Sequence, residues 1–208
     1  MEVGLQNKKI IGLIPVRLES RRLPGKALLD LDGYPIIVHT AKRASLAKKL
    51  DEVFVCTDSN EIIEICNNFQ IKTIKTSSNF SNGTERIASV SDKFEDSLII
   101  DIQGDEPLID PEYIDELVDS HLNHPSKPDI IIPTIEVDYD SPNTIVRVLV
   151  SQSGRVMYLS RSKIPHNYID NHNKIKKHVS VISFEASALN KYSSFKKTEY
   201  EKVEDIEL

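Results

Sequence analysis

The pattern that most limits what this chain can fold into is an alternation repeated four times. A short apolar run gives way to a stretch with apolar residues at helical spacing, and then another apolar run follows. The first run, Ile10–Val16, is apolar at consecutive positions, so both of its faces need cover. That suits a parallel strand between helices. After the Asp32-Gly33 turn, Pro35 is placed to open a helix, and Ile37, Ala41, Ala44 and Ala47 mark its inner face. Val53–Cys56 predicts a second strand, Ile62, Ile63, Ile65 and Cys66 a second helix, and Ile71–Ile74 a weak third strand. Asn82-Gly83-Thr84-Glu85 has the form of a helix cap with its return partner, and Ile87, Val90 and Phe94 continue the stripe. Leu98–Ile102 is a buried strand. Asp110-Pro111 then starts a helix with Tyr113, Ile114 and Leu117 inside, and Ile130–Ile135 is a further strand. The expectation is an α/β fold with a mostly parallel sheet flanked by helices.

After Asp140 the pattern changes. Thr144–Val150 and Arg155–Ser160 read as a hairpin around Ser151-Gln152-Ser153-Gly154. His178–Phe184 reads as a further strand, Ala186–Tyr192 as a helix, and Tyr200–Leu208 as a helix barely begun. No Pro- or Ser-rich linker and no repeat separates the halves. The expectation is therefore one domain over 1–208, with a main part at about 9–140 and an antiparallel subdomain at about 141–208. The 39% apolar and 28% charged content is that of an ordinary soluble protein. A net charge of −6 argues against broad nucleic-acid binding. No apolar run approaches the ~18 residues a membrane helix needs, and MEVGLQNKK lacks the apolar core of a secretory signal. A cytoplasmic location is expected, with no membrane or nucleic-acid partner. Cys56 and Cys66 are too few for a disulfide framework and are expected as small buried residues.

In a parallel sheet, ligands sit beyond the carboxyl ends of the strands. Three polar segments fall there: the loop after the first strand, Cys56-Thr57-Asp58, and Gln103-Gly104-Asp105. The first of these, within IPVRLESRRLPGK at 14–26, carries Arg17, Ser20, Arg21, Arg22 and Lys26. Backbone N–H groups and clustered cations suit a phosphate-bearing ligand. The loop is neither GxxxxGK[ST] nor GxGxxG. Asp105 follows a buried strand and faces this basic loop, where a carboxylate can hold Mg²⁺ together with phosphate oxygens; Asp101 and Glu106 are the alternatives. Gln103 and the Ser81–Glu85 segment, with Gly83 and Thr84, offer polar groups to a base edge, or are a turn amide and a helix cap. Arg86 reaches either a ligand or solvent. Arg161 and His178 are candidates for a substrate carboxylate. The remaining histidines have no HxxxH or HExxH spacing, so no zinc site is expected. No GxSxG elbow supports acyl-enzyme chemistry.

Taken in order, these segments resemble a family. Arg17-x-x-Ser20-x-Arg22-Leu23-Pro24-Gly25-Lys26, Thr57-Asp58, Gly83-Thr84-Glu85-Arg86, Gln103-Gly104-Asp105-Glu106-Pro107, Ser160-Arg161-x-x-Ile164-Pro165 and His178 are similar to the CMP-sugar synthetases. Within that family they most resemble the 3-deoxy-manno-octulosonate cytidylyltransferases. The resemblance implies a nucleotidyltransferase-like sandwich, a homodimer joined through the second half, and Mg²⁺ as cofactor. It implies transfer of CMP from CTP to a 3-deoxy-ulosonic acid sugar with release of pyrophosphate. By the same resemblance Arg17, Ser20, Arg22 and Lys26 hold the CTP phosphates and Asp105 the metal. Ser81, Gly83, Thr84 and Gln103 lie near the nucleotide, while Arg86, Arg161, His178 and Glu204 serve the sugar acid. Two features depart from the family. Its chains run on past the position of Leu208, where a second Mg²⁺-binding Asp lies, so a truncated C-terminal end is expected. And where the family reads HxGIYxYR, the stretch His178–Glu185 lacks the Gly, Tyr and Arg. Two alternatives stand beside the main reading: a nucleotide-binding homologue without catalysis, and a cytidylyltransferase for a different acceptor.

Overall fold

Seven consecutive buried residues make β1 (Ile10–Val16) the centre of the larger sheet. The structure is a computed structural model that describes residues 8–18, 23–169 and 173–206. Beyond β1 come a 3-10 turn (Lys26–Leu28), the small hairpin β2 (Asp30–Leu31) and β3 (Tyr34–Pro35), and α1 (Ile36–Ala44). β4 (Glu52–Thr57), α2 (Asn60–Asn68), β5 (Thr73–Lys75) and α3 (Gly83–Ala88) follow. A second 3-10 turn (Ser91–Phe94) leads to β6 (Leu98–Ile102) and α4 (Pro111–Leu122). Six strands then come close together: β7 (Ile130–Ile131), β8 (Thr134–Asp138), β9 (Arg147–Val150), β10 (Val156–Ser160), β11 (Lys174–His178) and β12 (Val181–Glu185). α5 (Ala186–Ser194) and α6 (Glu199–Glu204) complete the series.

The chain divides into two compact units, Met1–Ile131 with Ser180–Phe195, and Ile132–Val179 with Lys196–Leu208. The crossing points lie elsewhere than the change of sequence pattern near Asp140. Two runs read as single strands each prove to be two. Ile130–Ile135 is broken at Pro133, which has no N–H for a ladder: β7 pairs with β12 in the first unit, and β8 with β11 in the second. His178–Phe184 is likewise broken at Val179-Ser180, so β11 belongs to one sheet and β12 to the other.

The first unit holds a six-stranded sheet in the order β5-β4-β1-β6-β12-β7. β5, β4, β1 and β6 are parallel; β12 runs antiparallel to β6, and β7 antiparallel to β12. Side chains alternate across a strand. Ile10, Ile14 and Val16 thus share one core with Ile37, Ala41 and Ala44 of α1 and Ile114, Leu117 and Val118 of α4. On the opposite face Pro15 meets Gly83 at the start of α3. Cys56 and Cys66 are buried free thiols, and burial pushes them up to about 12 and about 11 respectively.

The second unit is a four-stranded antiparallel sheet in the order β10-β9-β11-β8. The expected hairpin is present: Ser151 N–H donates to Arg155 O at 2.8 Å and Gly154 N–H to Ser151 O at 3.0 Å. α6 opens on a capping box formed by Thr198 and Glu201. Among the described residues no helix is long and apolar enough to cross a membrane.

Two substitutions test this assignment of the strands. Ile100, fully buried in β6, should cost about 2–5 kcal/mol when cut to Ala. Ile135 on β8 is 45% exposed, and Ile135→Ala should cost under about 1 kcal/mol. Urea midpoints read both; equal losses would contradict the burial described.

Candidate active site

Three segments meet around one residue at the carboxyl end of β1. A Cβ on Gly104 would stand 3.0 Å from the Pro15 carbonyl oxygen and 3.1 Å from Val16 Cβ. A side chain there would press on the backbone of β1, so this close approach of the loop after β6 favours glycine. From the other side a Cβ on Gly83 would stand 3.0 Å from Pro15 Cγ and 3.7 Å from Gln103 Nε2. The start of α3, the end of β1 and the loop after β6 are thereby in contact, and Gln103 reaches toward the first turn of α3.

At this mouth Lys26 Nζ donates to Asp105 Oδ2 at 2.6 Å, with the two side chains 40% and 48% exposed. The last cation of the basic loop and the acid after β6, 79 positions apart in sequence, therefore occupy one place. Arg17 follows β1 directly and is exposed. Ser20 and Arg22 lie outside the described residues.

α3 is held by its polar ends. The Asn82 side chain accepts the Glu85 N–H at 2.7 Å, and the Glu85 carboxylate accepts the Ser81 N–H at 2.8 Å. The return contact thus closes on the residue before the cap. Thr84 is buried and turns its hydroxyl toward Asp101 Oδ2 at 3.4 Å. Arg86 is 3% exposed. Its guanidinium pairs with Asp58 at 2.9 Å and donates to Ser77 O at 3.0 Å, tying the end of β4 to the segment before α3. Thr84 and Arg86 therefore face the interior, whereas Lys26, Asp105 and Arg17 face outward.

Of the three acids considered for a metal, Asp101 is 1% exposed inside β6 and does not fit a hydrated cation. Asp105, exposed and beside Lys26, does; Glu106 is half-buried in the same loop. Among the described residues no three His, Cys, Asp or Glu side chains gather closely enough to hold a metal by themselves. Mg²⁺ needs less than that, since it takes one or two carboxylates and fills its shell with phosphate oxygens and water. A half-exposed carboxylate beside a lysine meets that requirement.

The second unit brings together its own polar set. Glu204 accepts the Ser160 hydroxyl at 2.6 Å and the Arg161 N–H at 2.9 Å. These two donors, the hydroxyl first, hold its carboxyl below the usual range. The Arg161 guanidinium donates to Glu204 O at 2.7 Å, Asp205 O at 2.9 Å and Thr144 O at 3.0 Å. It thus satisfies carbonyls that the end of α6 leaves without helical partners. Arg147, fully buried, donates to Arg161 O at 2.6 Å and Ser141 O at 2.5 Å. Nothing in the motif reading singled out Arg147, yet a cation in the apolar run Ile145–Leu149 is the sign that could have found it. His178 closes β11 with its N–H on Val146 O at 2.9 Å. Burial, with help from the Lys177 ammonium, pushes its imidazole down to about 4.

The sequence profile of the cytidylyltransferases matches residues 11–208. The chain belongs to the cytidylyltransferase family. A 3-deoxy-manno-octulosonate cytidylyltransferase of Thermodesulfovibrio yellowstonii is 36% identical over 213 residues, covering 95% of this chain and 83% of that one. An 8-amino-3,8-dideoxy-manno-octulosonate cytidylyltransferase of Shewanella frigidimarina is 34% identical over 206 residues, covering 96% and 82%. Among solved structures, CMP:2-keto-3-deoxy-manno-octonic acid synthetase complexed with CTP aligns with a TM-score of 0.89 and 30% identity, over 96% of this chain and 83% of that one. The α/β architecture, with its mostly parallel sheet and separate antiparallel sheet, is that of a cytidylyltransferase.

Two outcomes follow from this geometry. Gly104→Ala places a methyl against the Pro15 carbonyl, so it should cost about 1–3 kcal/mol, read as a lower urea midpoint. A midpoint equal to wild type would mean the loop does not lie where described. For His178 the sign is fixed by its lowered pKa. The folded protein keeps the ring neutral down to about pH 4, while the unfolded chain takes up a proton near the ordinary 6.5. The stability tied to a neutral ring is complete above about 6.5 and is lost as pH falls toward 4. Between pH 7 and pH 5 wild type should lose on the order of 2 kcal/mol more than His178→Gln. Parallel pH profiles of the urea midpoints would refute this.

Proposed function

We propose that this chain transfers CMP from CTP to the anomeric hydroxyl of 3-deoxy-manno-octulosonate, or a closely related ulosonic acid, and releases pyrophosphate. The observation that carries this reading is the Lys26–Asp105 contact at the carboxyl end of the sheet, in a chain of the cytidylyltransferase family. Arg17 and Lys26, with Ser20 and Arg22, bind the triphosphate. Gln103, Ser81 and Gly83 meet the nucleotide. Thr84 and Arg86, being buried, act through the shape of the α3 turn. Arg161, His178 and Glu204 of the second unit serve the acceptor. Its carboxylate competes for the Arg161 guanidinium with the carbonyls that now hold it.

The acceptor hydroxyl oxygen forms a bond to the α-phosphorus and gives up its proton to water. The bond from that phosphorus to the bridging oxygen breaks, and the electron pair leaves with pyrophosphate. No covalent bond to the protein is needed, so the residues act by position and charge. Asp105 would hold Mg²⁺ against the phosphates, and the ion would supply charge neutralisation on the departing pyrophosphate. The Lys26 ammonium and the guanidinium of Arg17 do the same from the protein.

The first unit takes the nucleotide role and the second the acceptor role, in a cytoplasmic enzyme. We also assign a homodimer joined through the second unit. Met157 and Tyr158 on β10 and Tyr200 and Val203 on α6 are 64%, 42%, 72% and 84% exposed, apolar side chains that a partner subunit would cover. Light scattering should give twice the chain mass, and Val203→Asp should reduce it.

The activity is tested by pyrophosphate release with CTP, Mg²⁺ and either 3-deoxy-manno-octulosonate or its 8-amino analogue. Asp105→Asn should lower kcat by about 10²–10³ with an unchanged urea midpoint, and Lys26→Met should raise KM for CTP by about tenfold. No release with either acceptor would end the assignment.

A further inference from the structure

Asp105 stands on the connection from β6 to α4, not on the strand itself, so its position depends on what fixes that loop. Within the loop, Glu106 N–H donates to Gln103 O at 3.2 Å and Ile109 N–H to Glu106 O at 3.1 Å. These bonds shape the loop without attaching it to anything else. Besides the Lys26 bond to Asp105 itself and the packing of Gly104 on β1, both ends of the loop are held by α1. Gly104, pressed on Pro15 and Val16, turns its carbonyl to the buried Thr40 hydroxyl at 3.3 Å. Ile109 is buried, and its carbonyl accepts the Arg43 Nε–H at 2.8 Å. Thr40 and Arg43 are three positions apart on one helix, hence on one face.

The two contacts are not equal. The Thr40 hydroxyl has a second acceptor, Ile36 O at 3.2 Å, and a threonine in a helix bonds back to its own turn readily. The Arg43 bond is shorter, and its donor is charged, which makes it the stronger of the two. A cation in the last turn of α1 suits the helix dipole by itself. That does not explain why the side chain leaves the helix to meet a carbonyl 66 positions away.

We propose that Arg43 is a positioning residue that, by holding the Ile109 carbonyl, fixes the loop on which Asp105 meets the nucleotide and its metal. This rests on the role given to Asp105 above. Arg43 bonds the Ile109 carbonyl and acts through five residues of backbone, from Asp105 to Ile109.

The test compares wild type, Arg43→Met and Arg43→Lys in the full chain. Without nucleotide, the amides of Glu106 and Ile109 should exchange with solvent about tenfold faster in Arg43→Met, with no change in the strands of the sheet. At saturating CTP, KM for Mg²⁺ should rise about five- to tenfold while KM for the acceptor stays constant. Arg43→Lys, which keeps the charge and loses the directed Nε–H, should fall between the two, at about two- to threefold on both readouts. It carries the test should Arg43→Met fail to fold. Equal loop exchange in all three proteins overturns the proposal. So does faster exchange with an unchanged Mg²⁺ dependence, because the loop would then be held without consequence for the carboxylate. Asp105→Asn separates the layers. If that variant keeps wild-type Mg²⁺ dependence, the metal role of Asp105 fails and the proposal falls with it, while loop exchange still decides whether Arg43 holds the loop.

Discussion

Pro15 is contacted from two sides by glycines, and the site depends on that contact. Its ring lies under Gly83 and its carbonyl beside Gly104. At each, a Cβ would stand 3.0 Å from a Pro15 atom, so both segments lie at the end of β1 at close van der Waals distance. Gly104 is followed at once by Asp105, and Gly83 by the buried turns of α3. A parallel sheet would in any case open its loops at one end. Close packing at Pro15 turns loops that merely share an end into groups that share a place.

Two ion pairs near this end differ in kind. Arg86 and Asp58 are mostly withdrawn from solvent, and the Arg86 guanidinium also binds backbone and side-chain oxygens of the segment before α3. Removing either partner would leave a charge stranded, which is costly. Lys26 and Asp105 are both about half exposed. A pair of that kind adds only about 0–1 kcal/mol to stability, so it opens readily when a better partner arrives. The first pair belongs to the frame, and the second is available for chemistry. The same distinction holds in the second unit. There Arg147 is fully buried and donates to carbonyls, while the half-buried Arg161 donates to carbonyls at the end of α6 and to Thr144 O.

What was legible in the sequence follows from how local each signal is. β1 and β6 carry their burial in consecutive apolar residues, and α4 carries its start in Asp110-Pro111; all three lie where the pattern placed them. The cap at Asn82 was equally readable. The approach of Lys26 to Asp105 was legible only as a shared end of the sheet. The two broken strands were not legible, because a run of β-forming residues does not say which sheet each half will join. That choice is made by partners far away in sequence, β12 for β7 and β11 for β8. The sequence leaves Arg86 open between a ligand and solvent, and Thr84 between a base edge and a helix cap. Their burial comes from packing against Asp58 and Asp101, which no spacing within 81–86 reveals.

The place of β12 has a consequence for how the protein is made. It fills the edge of β6 that β1 does not cover, yet it is synthesised about 80 residues later. At a ribosomal pace of about 5–20 residues per second, β6 waits about 4–16 seconds with that edge bare. An open apolar edge invites pairing with any passing strand. During synthesis, therefore, β6 carries an open edge that the finished protein covers with β12.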